Sequence, residues 1–157
     1  MKKIIAVFVE NHFGVLAHVS SLFSARGFNI DSLAVGETED PTVSRMTIVA
    51  EGDEKTLEQV KKQLNRLIDV IKVIDLTDED FVDREIILIK VKIDNKNRSE
   101  ILQIADTFQA KIDDVKKETA VIEVTGDRNK IRSFIEIMKP FGITEMARTG
   151  RIAMGRK

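Results

Sequence analysis

The sequence predicts an α+β fold made of two consecutive units that share one β-α-β-β-α-β order. Three observations carry this. Short apolar, β-rich runs alternate with stretches whose apolar residues recur at helical spacing. The alternation runs once through residues 1–76 and restarts at residue 84. Between the two passes, TDEDFVD (77–83) is acidic and mostly polar, which marks a linker.

In the first unit, KKIIAVFVE (2–10) reads as a strand, apolar at both alternating positions and therefore central in a sheet. From Phe13 to Arg26 the period changes, with Val15, Leu16, Val19, Leu22 and Phe23 on one helical face, and Gly27 stops the helix. FNIDSLAVGET (28–38) is a second strand, EDPT (39–42) a turn and VSRMTIVAE (43–51) a third strand with Met46, Ile48 and Ala50 on one side. Asp53 stands where a helix cap is wanted, before a stripe of Leu57, Val60, Leu64, Leu67 and Ile68. DVIKVIDL (69–76) closes the unit. This is the split βαβ, ferredoxin-like arrangement, whose right-handed crossovers place both helices on one face of an antiparallel sheet.

The second unit, residues 84–157, repeats the order. REIILIKVKI (84–93) alternates as a strand, and NKNRSEILQIADTFQ (95–109) is a helix capped near Asn97 or Ser99. AKIDDVKKE (110–118) and TAVIEVTG (119–126) form a hairpin. DRNKIRSFIEIMKPFG (127–142) is a helix with Ile131, Phe134, Ile135 and Met138 inward, and ITEMARTGRIAMG (143–155) is the last strand. The fold class is thus two ferredoxin-like βαββαβ domains, 1–76 and 84–157.

Composition narrows the function. The chain has 157 residues, 43% apolar and 32% charged, with a formal net charge of −1 and no cysteine. A near-neutral balance argues against a nucleic-acid footprint, and RNA-binding domains of this fold want aromatics on their central strands, which VSRMTIVA lacks. Without cysteine there is no disulfide scaffold, thiolate metal site or thiol nucleophile. The apolar runs are too short to span a membrane, and MKKIIAVFVENH reads as a strand and not a signal peptide, so the expected location is cytoplasmic. No nucleophile–base pair or metal cluster is visible, so catalysis is not expected. His12 and His18 have no partner at metal spacing and read as surface or capping residues. Arg45, inside the third strand, is a candidate functional charge, although such a residue more often lies on the exposed face or pairs with a neighbouring carboxylate.

The stretch ENHFGVLAHVSSLFSARGFNIDSL (10–33) holds the candidate site. A helix N-terminus offers unpaired N–H groups and a partial positive charge, which suit a carboxylate or phosphate. Gly14 lets a ligand approach the backbone, and Asn11 offers a donor and an acceptor without net charge, as a zwitterion requires. Phe13, Val15 and Leu16 could line a small apolar pocket. The same residues also read as a tight turn with a cap, and Asn29 as the completion of a helix exit.

These stretches, with DPTVSRMTIV, GDEKTLEQVKKQLNRLIDVIKV, REIILIKV and ITEMARTGRI, resemble the small, regulatory subunit of acetolactate synthase over nearly the whole chain. The resemblance implies that residues 1–76 are an ACT domain, an amino-acid-binding module that pairs as a homodimer with effector between the copies. It implies valine as effector, with leucine or isoleucine in some members. By motif, the effector would meet Asn11 and Gly14 of one subunit and Asn29 of the other, with the backbone of His12, Phe13, Gly14, Val15 and Leu16 and of Ile30 supplying N–H and C=O partners. The partner would be the catalytic subunit, which holds the thiamine diphosphate, magnesium and FAD, while this chain holds no cofactor or metal. Candidate contacts with that partner are exposed parts of the first domain and the basic tail with Arg148, Arg151 and Arg156. The competing expectation is a stand-alone ACT-domain sensor acting on transcription, against which stand the missing helix-turn-helix and basic excess.

Overall fold

A computed structural model describes residues 2–157. The chain forms two compact units, one built by the chain up to Val82 together with Arg151–Lys157, the other by Asp83–Gly150. In the first, β1 (Lys2–Glu10), α1 (Val15–Ala25), β2 (Asn29–Glu37), β3 (Val43–Glu51), α2 (Glu54–Arg66) and β4 (Val70–Asp75) follow the expected order. The sheet runs β2-β3-β1-β4, antiparallel throughout.

The central place of β1 explains its unbroken apolar run. Ile5, Val7 and Val9 join Met46, Ile48 and Ala50 beneath Val15, Val19 and Phe23 of α1 and Leu57, Val60 and Leu64 of α2. The alternate residues Ile4 and Ala6, with Val49, point to the helix-free face, where Leu76 and Ala153 cover them. Helix α1 ends in a Schellman motif. The N–H of Gly27, in the left-handed region at φ 78°, donates to Ser24 O, and that of Phe28 to Phe23 O. The rings of Phe23 and Phe28 then meet edge to face at 6.0 Å. Helix α2 begins where Asp53 accepts from the Lys55 N–H at 3.0 Å.

In the second unit come β5 (Phe81–Lys92), α3 (Arg98–Thr107), β6 (Lys111–Val115), β7 (Thr119–Gly126), α4 (Arg128–Met138), a 3-10 turn (Lys139–Phe141) and β8 (Ile143–Arg148), with β9 (Ile152–Gly155) near the end of the chain. The order β6-β7-β5-β8 matches that of the first sheet strand for strand. Its core gathers Ile87, Ile89, Val91, Ile122, Val124, Ile131 and Phe134. Both units are thus ferredoxin-like.

Some expected elements change. The single last strand over 143–155 is broken after Arg148, where Gly150 turns at φ 81°. Its first part, β8, pairs with β5 in the second unit, and residues 151–157 belong to the first. Strand β5 starts at Phe81, inside the stretch expected as linker, because Phe81 packs on the helix-free face of the first sheet. Asn97 is the residue before α3, but its side chain does not cap the helix. Its Oδ1 accepts from the Asp94 N–H at 2.8 Å instead.

Candidate functional site

The loop from Asn11 to Gly14 joins the end of β1 to α1. Its backbone is anchored on one side to the β2–β3 turn, where Asn11 N–H donates to Thr42 O at 2.7 Å. The Asn11 side chain repeats the anchor, with Nδ2 donating to Pro41 O at 2.9 Å and Glu37 Oε1 at 3.2 Å. Among the described residues Asn11 Oδ1 has no hydrogen-bond partner and remains a free acceptor. Gly14 then takes the left-handed conformation at φ 87° as the N-cap of α1, and no side chain caps the helix. With no acidic residue in the first turn, the leading amides keep their partial positive charge uncompensated.

On its other side the loop is pinned through His12. Nε2 lies 2.7 Å from Asp69 Oδ1 and 3.3 Å from Glu10 Oε2, and the Glu10 N–H donates to Asp69 O at 2.8 Å. The Phe13 carbonyl beside Nδ1, then the carboxylates of Asp69 and Glu10, raise the His12 pKa above its ordinary value despite partial desolvation. Glu10, His12 and Asp69 could also share a cation, since their ligand atoms lie within 4.8 Å of one another. Asp69 is far along the chain, so no local spacing could have linked it to His12. Glu10, Asn11, His12, Thr42, Val43 and Ile71 line an open depression here.

The remaining predicted residues do not close a pocket within one chain. Val15 is 3% exposed and packed into the core of its own unit, so its side chain forms no pocket wall. Leu16 is half exposed and Phe13 fully exposed. Asn29 and Ile30 open β2, with Asn29 opposite Glu51 and thus level with Lys2, whereas Glu10 is level with Val43. Asn29 and Gly14 therefore lie at opposite ends of one sheet, separated by about 26 Å of β1. The helix exit before Asn29 is completed by Gly27 and Phe28 alone, and the Asn29 amide donates to Asp31 Oδ1 at 3.1 Å.

Arg45 is half-buried and, among the described residues, pairs with no carboxylate. Its guanidinium lies 4.9 Å from the Phe8 ring centre and its Nη2 donates to Ala153 O at 2.6 Å. Arg148 is not a free basic group of the tail, because it donates to the buried Glu85 through Nε at 2.9 Å and Nη2 at 2.5 Å. Among the described residues no helix is long and apolar enough to cross a membrane.

Comparison with known proteins agrees with this architecture. Residues 5–72 match the family model described as the AHAS small subunit-like ACT domain, and residues 84–157 the model described as the small subunit of acetolactate synthase. The chain is 54% identical to a probable acetolactate synthase small subunit of Archaeoglobus fulgidus, covering 99% of this chain and 98% of that one. It is 52% identical to the acetolactate synthase small subunit of Aquifex aeolicus, covering 99% and 82%. The crystal structure of the acetolactate synthase small subunit from Thermotoga maritima superimposes with a TM-score of 0.89 at 43% identity, over 100% of this chain and 98% of that one. The first unit is an ACT domain. The chain belongs to the acetolactate synthase small-subunit family, which implies a catalytic subunit as partner.

Proposed function

We propose that this chain is a non-catalytic regulatory subunit that activates the catalytic subunit of acetolactate synthase and makes it sensitive to feedback inhibition by valine. Leucine and isoleucine are further candidate effectors. The carboligation, with its thiamine diphosphate, magnesium and FAD, stays with the catalytic subunit, and the complex works in the cytoplasm.

The observation that carries the reading is the uncapped start of α1 behind Gly14, beside an Asn11 with a spare acceptor. Leading amides take the effector carboxylate, while Asn11 Oδ1 and the neighbouring Glu37 carboxylate take its ammonium. Asn29 and Ile30 come from a second copy. Strand β2 is a free edge of the sheet, and two copies paired antiparallel along β2 set the Asn29 end of one beside the Glu37 end of the other. Two equivalent sites result.

Valine regulates only if it favours one state of the complex over another, and a coupling of about 1–3 kcal/mol suffices. The test is calorimetry of the full chain with valine, leucine and isoleucine, repeated with the catalytic subunit. Valine should bind at one site per chain, with an affinity that the catalytic subunit changes. Heat traces indistinguishable from buffer for all three amino acids would refute the reading.

A further inference from the structure

We propose that residues 151–157 are a strap, latched to the ACT sheet by Arg45, that carries the state of the effector loop into the rest of the chain. The transmission part rests on the effector reading above. The strap lies on the helix-free face of the first sheet. Ala153 is 4% exposed and seals Ile4, Ala6 and Val49, while its neighbours Ile152 and Met154 turn outward. The end is tied to the first unit, with Arg156 N–H donating to Asp80 O at 2.9 Å and Arg156 Nε lying 3.0 Å from Asp80 Oδ1.

Arg45 is the latch. Its guanidinium is held between the Phe8 ring and the Ala153 carbonyl, and Phe8 faces it directly across β1 and β3. As β9 the strap also pairs with β5, which begins at Phe81, but it buries one small side chain, so little apolar contact holds it and it belongs to the parts of the structure that open without global unfolding. Its latch stands close to the effector loop. Asn11 is bonded to Thr42, and Arg45 follows on the same strand with its side chain on the same face as Val43. A displacement of the loop is therefore handed along a short rigid stretch of β3 to the guanidinium. The strap then continues covalently through Gly150 into the second unit.

Hydrogen exchange on the full-length chain reads the latch, and inhibition of the reconstituted enzyme reads transmission. In Arg45→Met, which keeps the stem on Phe8 but loses the donors, exchange of the 151–157 amides should rise about tenfold or more while that of 83–150 is unchanged. Valine should still bind within about threefold of the native affinity but no longer inhibit. Arg45→Lys should restore part of both properties, and Ala153→Asp should release the strap from the other side. Native protection of 151–157 in both Arg45→Met and Ala153→Asp would overturn the latch. Native inhibition with the strap demonstrably released would overturn transmission. A wild-type chain that binds no valine would remove the effector reading and transmission with it, and leave the latch to be decided by exchange.

Discussion

His12 Nε2 lies 2.7 Å from Asp69 Oδ1, which fixes the loop between β1 and α1 to the junction of α2 and β4. The Phe13 carbonyl first, then Asp69 and Glu10, favour the protonated ring and raise its pKa. A group with a raised pKa in the folded protein gives stability that is complete below its unfolded value, about 6.5, and fades as pH rises through the folded value. Titration of the His12 ring by NMR should place its midpoint above the ordinary value, and Asp69→Asn should lower it. The loop amides, corrected for intrinsic rates, should be better protected at about pH 6 than at about pH 8. A midpoint that ignores Asp69→Asn would show that the pair does not form in solution.

Gly14→Asp separates ligand binding from folding. At φ 87° most side chains are strained by about 1–2 kcal/mol, but aspartate tolerates this region better than most, and a Cβ there meets nothing within 4 Å. The substitution should therefore leave the chain folded, with a small loss of thermal stability. Its carboxylate competes with the effector for the leading amides of α1. Valine inhibition should be lost while activation of the catalytic subunit persists, as enzyme assays with and without valine would read. Inhibition retained at the native valine concentration would move the site elsewhere.

The fold was legible because the period of the apolar residues switches cleanly between strand and helix, and because β1 is apolar on both faces. The framework of the candidate site was legible in part. Asn11 and Gly14 stand at a visible strand-to-helix joint, but what holds the joint in place comes from Thr42, Pro41 and Asp69, which no local pattern links to it. Val15 looked like a pocket residue because a helical face is shared by core and site positions, and only the packing shows that it belongs to the core. The break at Gly150 was hidden for a related reason. ITEMARTGRIAMG alternates well enough as one strand, and the change of sheet partner is a tertiary choice.

Gly52 precedes the Asp53 cap and is required for room. A Cβ there would overlap the ring of Phe28. That ring is 5% exposed and already set edge to face against Phe23, so it has little freedom to withdraw. Gly52→Ala should destabilise the first unit by about 1–3 kcal/mol, as overpacking does. The double variant Gly52→Ala, Phe28→Leu should recover part of the loss in urea unfolding. Additive losses would mean that the strain falls on the backbone and not on the ring.

Arg148 and Glu85 test the second unit. The Glu85 side chain is 3% exposed and receives two hydrogen bonds from Arg148, whose own side chain is 50% exposed. Removing the arginine leaves a carboxylate buried without its counter-charge, which costs more than the intact pair contributes. Arg148→Met keeps the apolar stem and should destabilise the unit by about 3 kcal/mol, the low end of the range for broken buried pairs because water reaches one side. Replacing both residues, as Glu85→Leu with Arg148→Met, should bring stability back to within about 1 kcal/mol of the native chain, since two apolar groups need no partner. Urea unfolding of the two variants measures the difference. Equal losses in the single and double variants would show that the arginine matters here for its packing against β5 and not for its charge.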